Sequence, residues 1–228
     1  MSIITSIMSI ISSIMSTISC SFKPKQSLGQ NFLTDSNTIT RIINAFHSDA
    51  TRYSPSVDGL VELGPGPGAL TQVLIERYGT EEFRCIEIDQ RAVEVLNERH
   101  PTLDVVHSDV LQVDYPAMRS SLSPLSPLAV IGNLPYYITS QILFALADAS
   151  HSTSVRSATV TMQLEVGQRL VAVTSTKSYG ILSVAFQIYA DARLHFKIPN
   201  TVFYPKPKVT SCLVGMNFVG EEELRARL

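Results

Sequence analysis

The segment 132-GNLPYYIT-139 holds residue types that can make a reluctant amine reactive. The exocyclic nitrogen of adenine is a poor nucleophile because its lone pair is delocalised into the ring. Acceptors on both of its N–H groups draw it toward a tetrahedral geometry and free that pair. The side-chain oxygen of Asn133 and a main-chain carbonyl near Leu134 or Pro135 can be those acceptors. Pro135 stiffens the turn, and Tyr136 offers a ring for a base to stack on, a contact worth about 1–3 kcal/mol. No general base is demanded, so positioning and electrostatics would carry a methyl transfer to such an amine. Without a strand in front of it, the same stretch reads as a plain turn. Phe203, in 202-VFYPKPKVTS-211, is a candidate for the opposite face of the base or for ordinary packing. Arg193, Lys197, Lys206 and Lys208 concentrate positive charge near it. They either neutralise phosphates beside a target nucleotide or are simply solvated.

A second constellation points to a bound small molecule. The loop 64-GPGPG-68 follows the apolar run 59-GLVEL-63, and glycines let backbone approach a ligand closely. Pro65 and Pro67 lack the N–H groups that a pyrophosphate needs, which favours a ligand without phosphates. Glu87 lies 23 positions after Gly64, where an acid can accept from ribose hydroxyls. Asp109, in 107-HSDV-110, can meet the amine of an adenine ring. Either acid alone would serve as a helix cap or a solvated loop charge. S-adenosylmethionine fits the set, because it carries a ribose, an adenine and a sulfonium and no phosphate.

The elements that must position these residues alternate. Strands are expected over 59–63, 83–88, 103–107, 128–131, 158–163 and 210–218. Helices are expected over 69–78, from an Asp89 cap through 98, and over 139–147 and 165–172. The run 120-SSLSPLSP-127 reads as a Ser/Pro loop. Repeated strand–helix–strand units predict an α/β fold, a mostly parallel sheet covered by helices on both faces. Ligands of such sheets sit beyond the carboxyl ends of the strands, where the loops above fall.

With 45% hydrophobic and 17% charged residues the composition is that of a globular chain. The net charge of −2 gives no global support to nucleic-acid binding, so any RNA contact must come from a local patch. Cys20, Cys85 and Cys212 are far apart, which argues against a disulfide framework or a metal site and for a reducing compartment. Residues 1–22 carry no charge, and Ile3, Ile7, Ile10, Ile14 and Ile18 recur at helical steps beside serines. That segment reads as an organellar targeting peptide or a disordered tail. Its serines argue against a membrane span.

The ordered set 29-GQNFL-33, 62-ELGPGPGAL-70, 86-IEID-89, 108-SD-109, 132-GNLPYYIT-139, 165-EVGQRLVA-172, 179-YGILSV-184 and 203-FYPKPKV-209 resembles the KsgA-type small-subunit ribosomal RNA adenine dimethyltransferases. These are related to the Erm methyltransferases and to mitochondrial transcription factor B. The likeness runs from Ser27 to about Phe218. It implies a Rossmann-like S-adenosylmethionine-dependent methyltransferase domain over 23–228. Asn31, Leu33, Gly64, Glu87, Asp109 and Asn133 would contact S-adenosylmethionine. Asn133, Leu134, Pro135, Tyr136 and Phe203 would handle the adenine. It also implies two methyl transfers to each of two neighbouring adenines near the 3′ end of small-subunit rRNA. The implied partner is that rRNA or a pre-ribosomal subunit, met by a monomer without metal or stable membrane association; the Ser/Ile-rich, acid-free N-terminus places the expectation in a mitochondrion or plastid, with cytoplasm as the alternative. Two departures stand out. Family members usually carry a further C-terminal helical domain, which this sequence largely lacks, and Leu164 stands where a lysine is common. A non-catalytic transcription or ribosome-assembly factor, or an Erm-like enzyme acting on large-subunit rRNA, are the competing readings.

Overall fold

Seven strands build one sheet: β1 (Leu60–Leu63), β2 (Phe83–Glu87), β3 (Asp104–His107), β4 (Leu128–Asn133), β5 (Val155–Gln163), β6 (Ala190–Ile198) and β7 (Ser211–Phe218). Their order is β3-β2-β1-β4-β5-β7-β6. The first five in that row are parallel, and β7 runs antiparallel to both β5 and β6. This computed structural model describes residues 22–228, so the targeting reading of 1–22 lies, Phe22 apart, outside the described residues.

Parallel strands need crossover helices, and those helices bury both sheet faces. All four residues of β1 are accordingly buried. Alternation sends Val61 and Leu63 to one face and Leu60 and Glu62 to the other. Helix α1 (Ser36–Ala50) covers the Leu60 face through Ile39, Ile42, Ile43 and Phe46. It starts where Asp35 accepts from the Thr38 N–H at 2.7 Å. Later helices are α2 (Thr71–Tyr78), α3 (Gln90–Arg99), α4 (Tyr115–Leu122), α5 (Thr139–His151), α6 (Leu164–Leu170), α7 (Ile181–Tyr189) and α8 (Glu221–Arg227). Helix α5 covers the Leu63 face with Ile142, Leu143 and Leu146.

Each expected strand and helix is present, displaced by a few residues at its ends. The Ser/Pro loop is shorter than its composition implies, because Ser120–Leu122 close α4. Asp114 caps that helix at 2.9 Å, Pro116 suits its first turn, and Tyr115, Met118 and Leu122 are buried at helical spacing. Helix α1 and strand β6 carry no glycine loop or motif that announces them, and α7 is not among the expected helices although 179-YGILSV-184 opens it.

Strand order reverses between β1 and β4, so the loops after these strands diverge and leave a crevice at their carboxyl ends.

Candidate active site

A cavity of about 180 Å³ occupies that crevice. Its walls come from the ends of β1 (Gly64, Gly66), β2 (Glu87), β3 (Asp109) and β4 (Asn133), although these residues span 70 positions of sequence. Gly64 and Gly66 hold φ of +64° and +54°, a left-handed backbone that favours glycine. A Cβ on Gly66 would lie 2.8 Å from a ring carbon of Phe32, while one on Gly64 would meet no atom within 4 Å. The loop is therefore closed against Phe32 and open toward the cavity.

Glu87 is only 4% exposed. One carboxylate oxygen accepts from the N–H groups of Ile88 (2.9 Å) and Asp89 (2.8 Å), the other from Gly66 (2.9 Å). Burial raises the pKa of this carboxyl, and the three N–H groups oppose that rise. A carboxylate has about four acceptor positions, so one remains on the oxygen that Gly66 shares. Asp109 caps the short turn Val110–Gln112 by accepting from the Leu111 N–H at 2.9 Å. It is a cap and a cavity wall at once.

The fourth side of the cavity is a strap, residues 28–32, that comes from outside the sheet. Asn31 lies in it. Leu33 does not line the main cavity; it is 2% exposed and packs into the core below. The strap is tied down by Asp89, whose side chain is wholly buried. Asp89 accepts from Lys25 Nζ (3.1 Å), Gln30 Nε2 (3.1 Å) and Arg91 Nη2 (2.6 Å). Arg91 in turn donates to the Lys23 carbonyl and lies over the Phe22 ring at 4.8 Å. These donors, the Arg91 guanidinium foremost, then the Gln30 amide and Lys25, hold the Asp89 carboxyl far below the usual carboxylate range. The sequence shows Asp89 only as a helix cap, because its partners Gln30 and Lys25 stand 59 and 64 residues away.

Asn133 ends β4 with its amide held on both sides. Its Nδ2 donates to the Asn31 carbonyl at 2.7 Å, and its Oδ1 accepts a short hydrogen bond from the Thr161 hydroxyl. Leu134 is 2% exposed and faces the cavity from below. The Pro135 carbonyl accepts from Thr139 Oγ1 (3.0 Å) and the Ile138 N–H (3.4 Å), which commits it to the start of α5. Tyr136 lines the cavity, and its hydroxyl meets Ser211 Oγ at 2.5 Å. Burial pushes that phenol up from its ordinary pKa. Tyr137, not singled out in the sequence, is 61% exposed at the cavity wall, its ring packed over Gly29.

Two expected contributors fall elsewhere. Phe203 is 4% exposed and outside the cavity wall. It pairs with Leu33 in a two-residue antiparallel ladder, Phe32–Leu33 against Phe203–Tyr204, and both partners turn into the core beside Ile198 and Leu213. Alternation then sends Tyr204 outward, where it is 50% exposed. Arg193 pairs through Nε and Nη2 with the buried carboxylate of Asp49, while its side chain remains 43% exposed. His195 (2.8 Å) and Thr159 (2.7 Å) complete that cluster. Room for it exists because residue 215 is glycine; a Cβ there would lie 2.1 Å from Asp49 Oδ2. Lys197, Lys206 and Lys208 are exposed. Among the described residues no cluster of His, Cys, Asp and Glu is arranged to hold a metal, and no helix is long and apolar enough to cross a membrane.

A sheet of this order, with one antiparallel strand inserted and a cavity at its switch point, defines the Rossmann-like methyltransferase class. Solved structures agree. The chain superposes on the 23S rRNA methyltransferase ErmE with a TM-score of 0.65 at 27% identity, covering 82% of this chain and 70% of that one. A dimethyladenosine transferase from Plasmodium falciparum gives a TM-score of 0.68 at 22% identity, over 85% of this chain and 65% of that one, and so speaks to the fold. The family model for ribosomal RNA adenine dimethylase matches residues 21–222. The ribosomal RNA small subunit methyltransferase A of Salinibacter ruber is 44% identical over 205 residues, 90% of this chain and 65% of that protein. The protein of the same name from Macrococcus caseolyticus is 41% identical over 199 residues, 86% of this chain and 64% of that protein. The chain belongs to the ribosomal RNA adenine dimethylase family, and it spans about two thirds of the length of these relatives.

Proposed function

We propose that this chain transfers methyl groups from S-adenosylmethionine to the exocyclic amines of adenines near the 3′ end of small-subunit ribosomal RNA. The supporting observation is the single cavity that joins Gly64, Glu87 and Asp109 to the Asn-Leu-Pro-Tyr loop. The residues present suit S-adenosylmethionine. The glycine loop is open toward the cavity at Gly64, and two prolines deny it a phosphate cradle. Glu87 keeps an acceptor position for a ribose hydroxyl, and Asp109 stands beside apolar Val110 and Leu111, a match for a flat base with one polar edge.

When bound, the cofactor supplies an electrophilic methyl group on a sulfonium. The chain's own part is to hold the amine. Asn133 Oδ1 retains a lone pair beyond the one that Thr161 occupies, and can accept one N–H of the adenine. The Pro135 carbonyl is already engaged, so the second acceptor is the carbonyl of Leu134. Tyr136 gives the base a ring to stack on, and with Phe203 in the core the exposed ring at this rim is Tyr137. The exposed Lys197, Lys206 and Lys208 are candidate phosphate contacts, with Arg193 beside them partly engaged by Asp49.

The test uses purified full chain, radiolabelled S-adenosylmethionine and immature small ribosomal subunits. Label is expected in adenine with the wild type, and a roughly hundredfold or greater loss with Asn133→Ala, the scale of removing one preorganised polar contact. Cofactor binding by equilibrium dialysis should change far less. Equal labelling by the variant would defeat the mechanism, and a parallel reaction with large subunits separates a small-subunit from a large-subunit rRNA target.

A further inference from the structure

We infer that Thr161 is a positioning residue for methyl transfer, its hydroxyl fixing the Asn133 amide so that an oxygen faces the target amine. This rests on the functional reading above. Thr161 lies on β5 directly across from Asn133 in the β4–β5 ladder, and its side chain is completely buried. The two ends of the Asn133 amide meet different chemistry. Nδ2 faces the main-chain carbonyl of Asn31, a group that can only accept. An amide turned the other way would set two oxygens against each other. With Nδ2 so assigned, Oδ1 meets the Thr161 hydroxyl and accepts from it. Asn31 therefore decides which way round the amide sits, and Thr161 decides where its oxygen stands.

Donation through Nδ2 also polarises the amide and makes Oδ1 a stronger acceptor for its second partner. Without the hydroxyl, Oδ1 has no buried donor, and the amide can tilt about its side-chain bonds while keeping the Asn31 contact. A displacement of about 1 Å at a reacting contact can cost about a hundredfold in rate. The neighbouring loop residue is braced in the same manner: Tyr136 meets the hydroxyl of Ser211, which sits on β7 opposite Gln163. The antiparallel strand β7 and its partner β5 thus carry a pair of hydroxyls that set the Asn-Leu-Pro-Tyr loop from behind.

Thr161→Val keeps the branched shape and removes the hydroxyl; Thr161→Ser keeps the hydroxyl and removes a methyl. With radiolabelled S-adenosylmethionine and immature small subunits, the valine variant should lose about ten- to hundredfold in kcat. Its KM for subunits and its cofactor Kd should stay within about twofold of wild type, and serine should restore most of kcat. In parallel, ¹⁵N-labelled protein reports the Asn133 side-chain NH₂ pair, assigned by its loss in Asn133→Ala. Those signals should shift or broaden in Thr161→Val and stay in place in Thr161→Ser. Wild-type kcat in the valine variant, equal losses in kcat and cofactor binding, or no rescue by serine would each overturn the assignment. Absence of methyl transfer by the wild type would sink the functional reading instead, and the amide signals would still decide whether Thr161 holds Asn133.

Discussion

Glu62 is a carboxyl that the fold should hold neutral near pH 7, and Glu62→Gln tests this directly. Glu62 lies on the face of β1 turned toward α1 and α2 and is 1% exposed. One oxygen accepts from Thr71 Oγ1 at 2.8 Å and stands 3.7 Å from the Cys85 sulfur, while Glu87 adds negative charge nearby. Burial dominates these contacts and pushes the carboxyl up to about 8. The sign follows from linkage. A group whose pKa is higher in the folded than in the unfolded chain supports folding fully below its unfolded pKa, about 4.3 for glutamate. That support is lost as pH rises to the folded pKa. Each pH unit in this window is worth about 1.4 kcal/mol, so Glu62 alone removes up to about 5 kcal/mol between about pH 4.5 and pH 8. Glutamine has nearly the same shape, can still accept from Thr71, and never ionises. Urea unfolding of both proteins at about pH 5.5, 7 and 8.5 should show the variant gaining on the wild type by roughly 3–4 kcal/mol across the series. Two stability curves that run parallel with pH would refute the claim that this carboxyl is buried uncharged.

Two further substitutions probe the strap and the glycine loop. Asp89→Asn removes the charge that gathers Lys25, Gln30 and Arg91. Because those cations are 46% and 39% exposed, water recovers much of the loss, and stability should fall by about 1–2 kcal/mol at most. Cofactor affinity by calorimetry should drop about fivefold or more, with faster proteolysis at residues 23–31; unchanged affinity would show that the strap needs no latch. Gly66→Ala places a side chain on a backbone at φ +54° and drives it against Phe32, 2.8 Å away. The left-handed backbone alone costs about 1–2 kcal/mol, and equilibrium dialysis should find cofactor binding weakened about tenfold or more. Wild-type binding in that variant would mean Phe32 is free to move.

Six of the seven strands were legible in the sequence because they are apolar runs punctuated by glycine, proline and capping acids, which are local signals; β6, Ala190–Ile198, has no such punctuation and is not among the expected strands. Helix α1 was not singled out, although its apolar steps are local too, because they lie outside any motif. The Ser/Pro loop was overextended because serine composition outweighed the Asp114 cap and the buried spacing of Tyr115, Met118 and Leu122.

By itself the sequence determined which residues end the strands, and hence that Gly64, Glu87, Asp109 and Asn133 could share one crevice. Only the tertiary structure decided who stands behind them. Pairing with Leu33 turned Phe203 into the core, Asp49 took Arg193, and the strap and β5 brought Asn31 and Thr161 to the two ends of one amide. Those choices depend on contacts between residues up to about 170 positions apart, such as Leu33 with Phe203. No local pattern encodes them, because a side chain's periodicity sets the face it takes but not the partner waiting there.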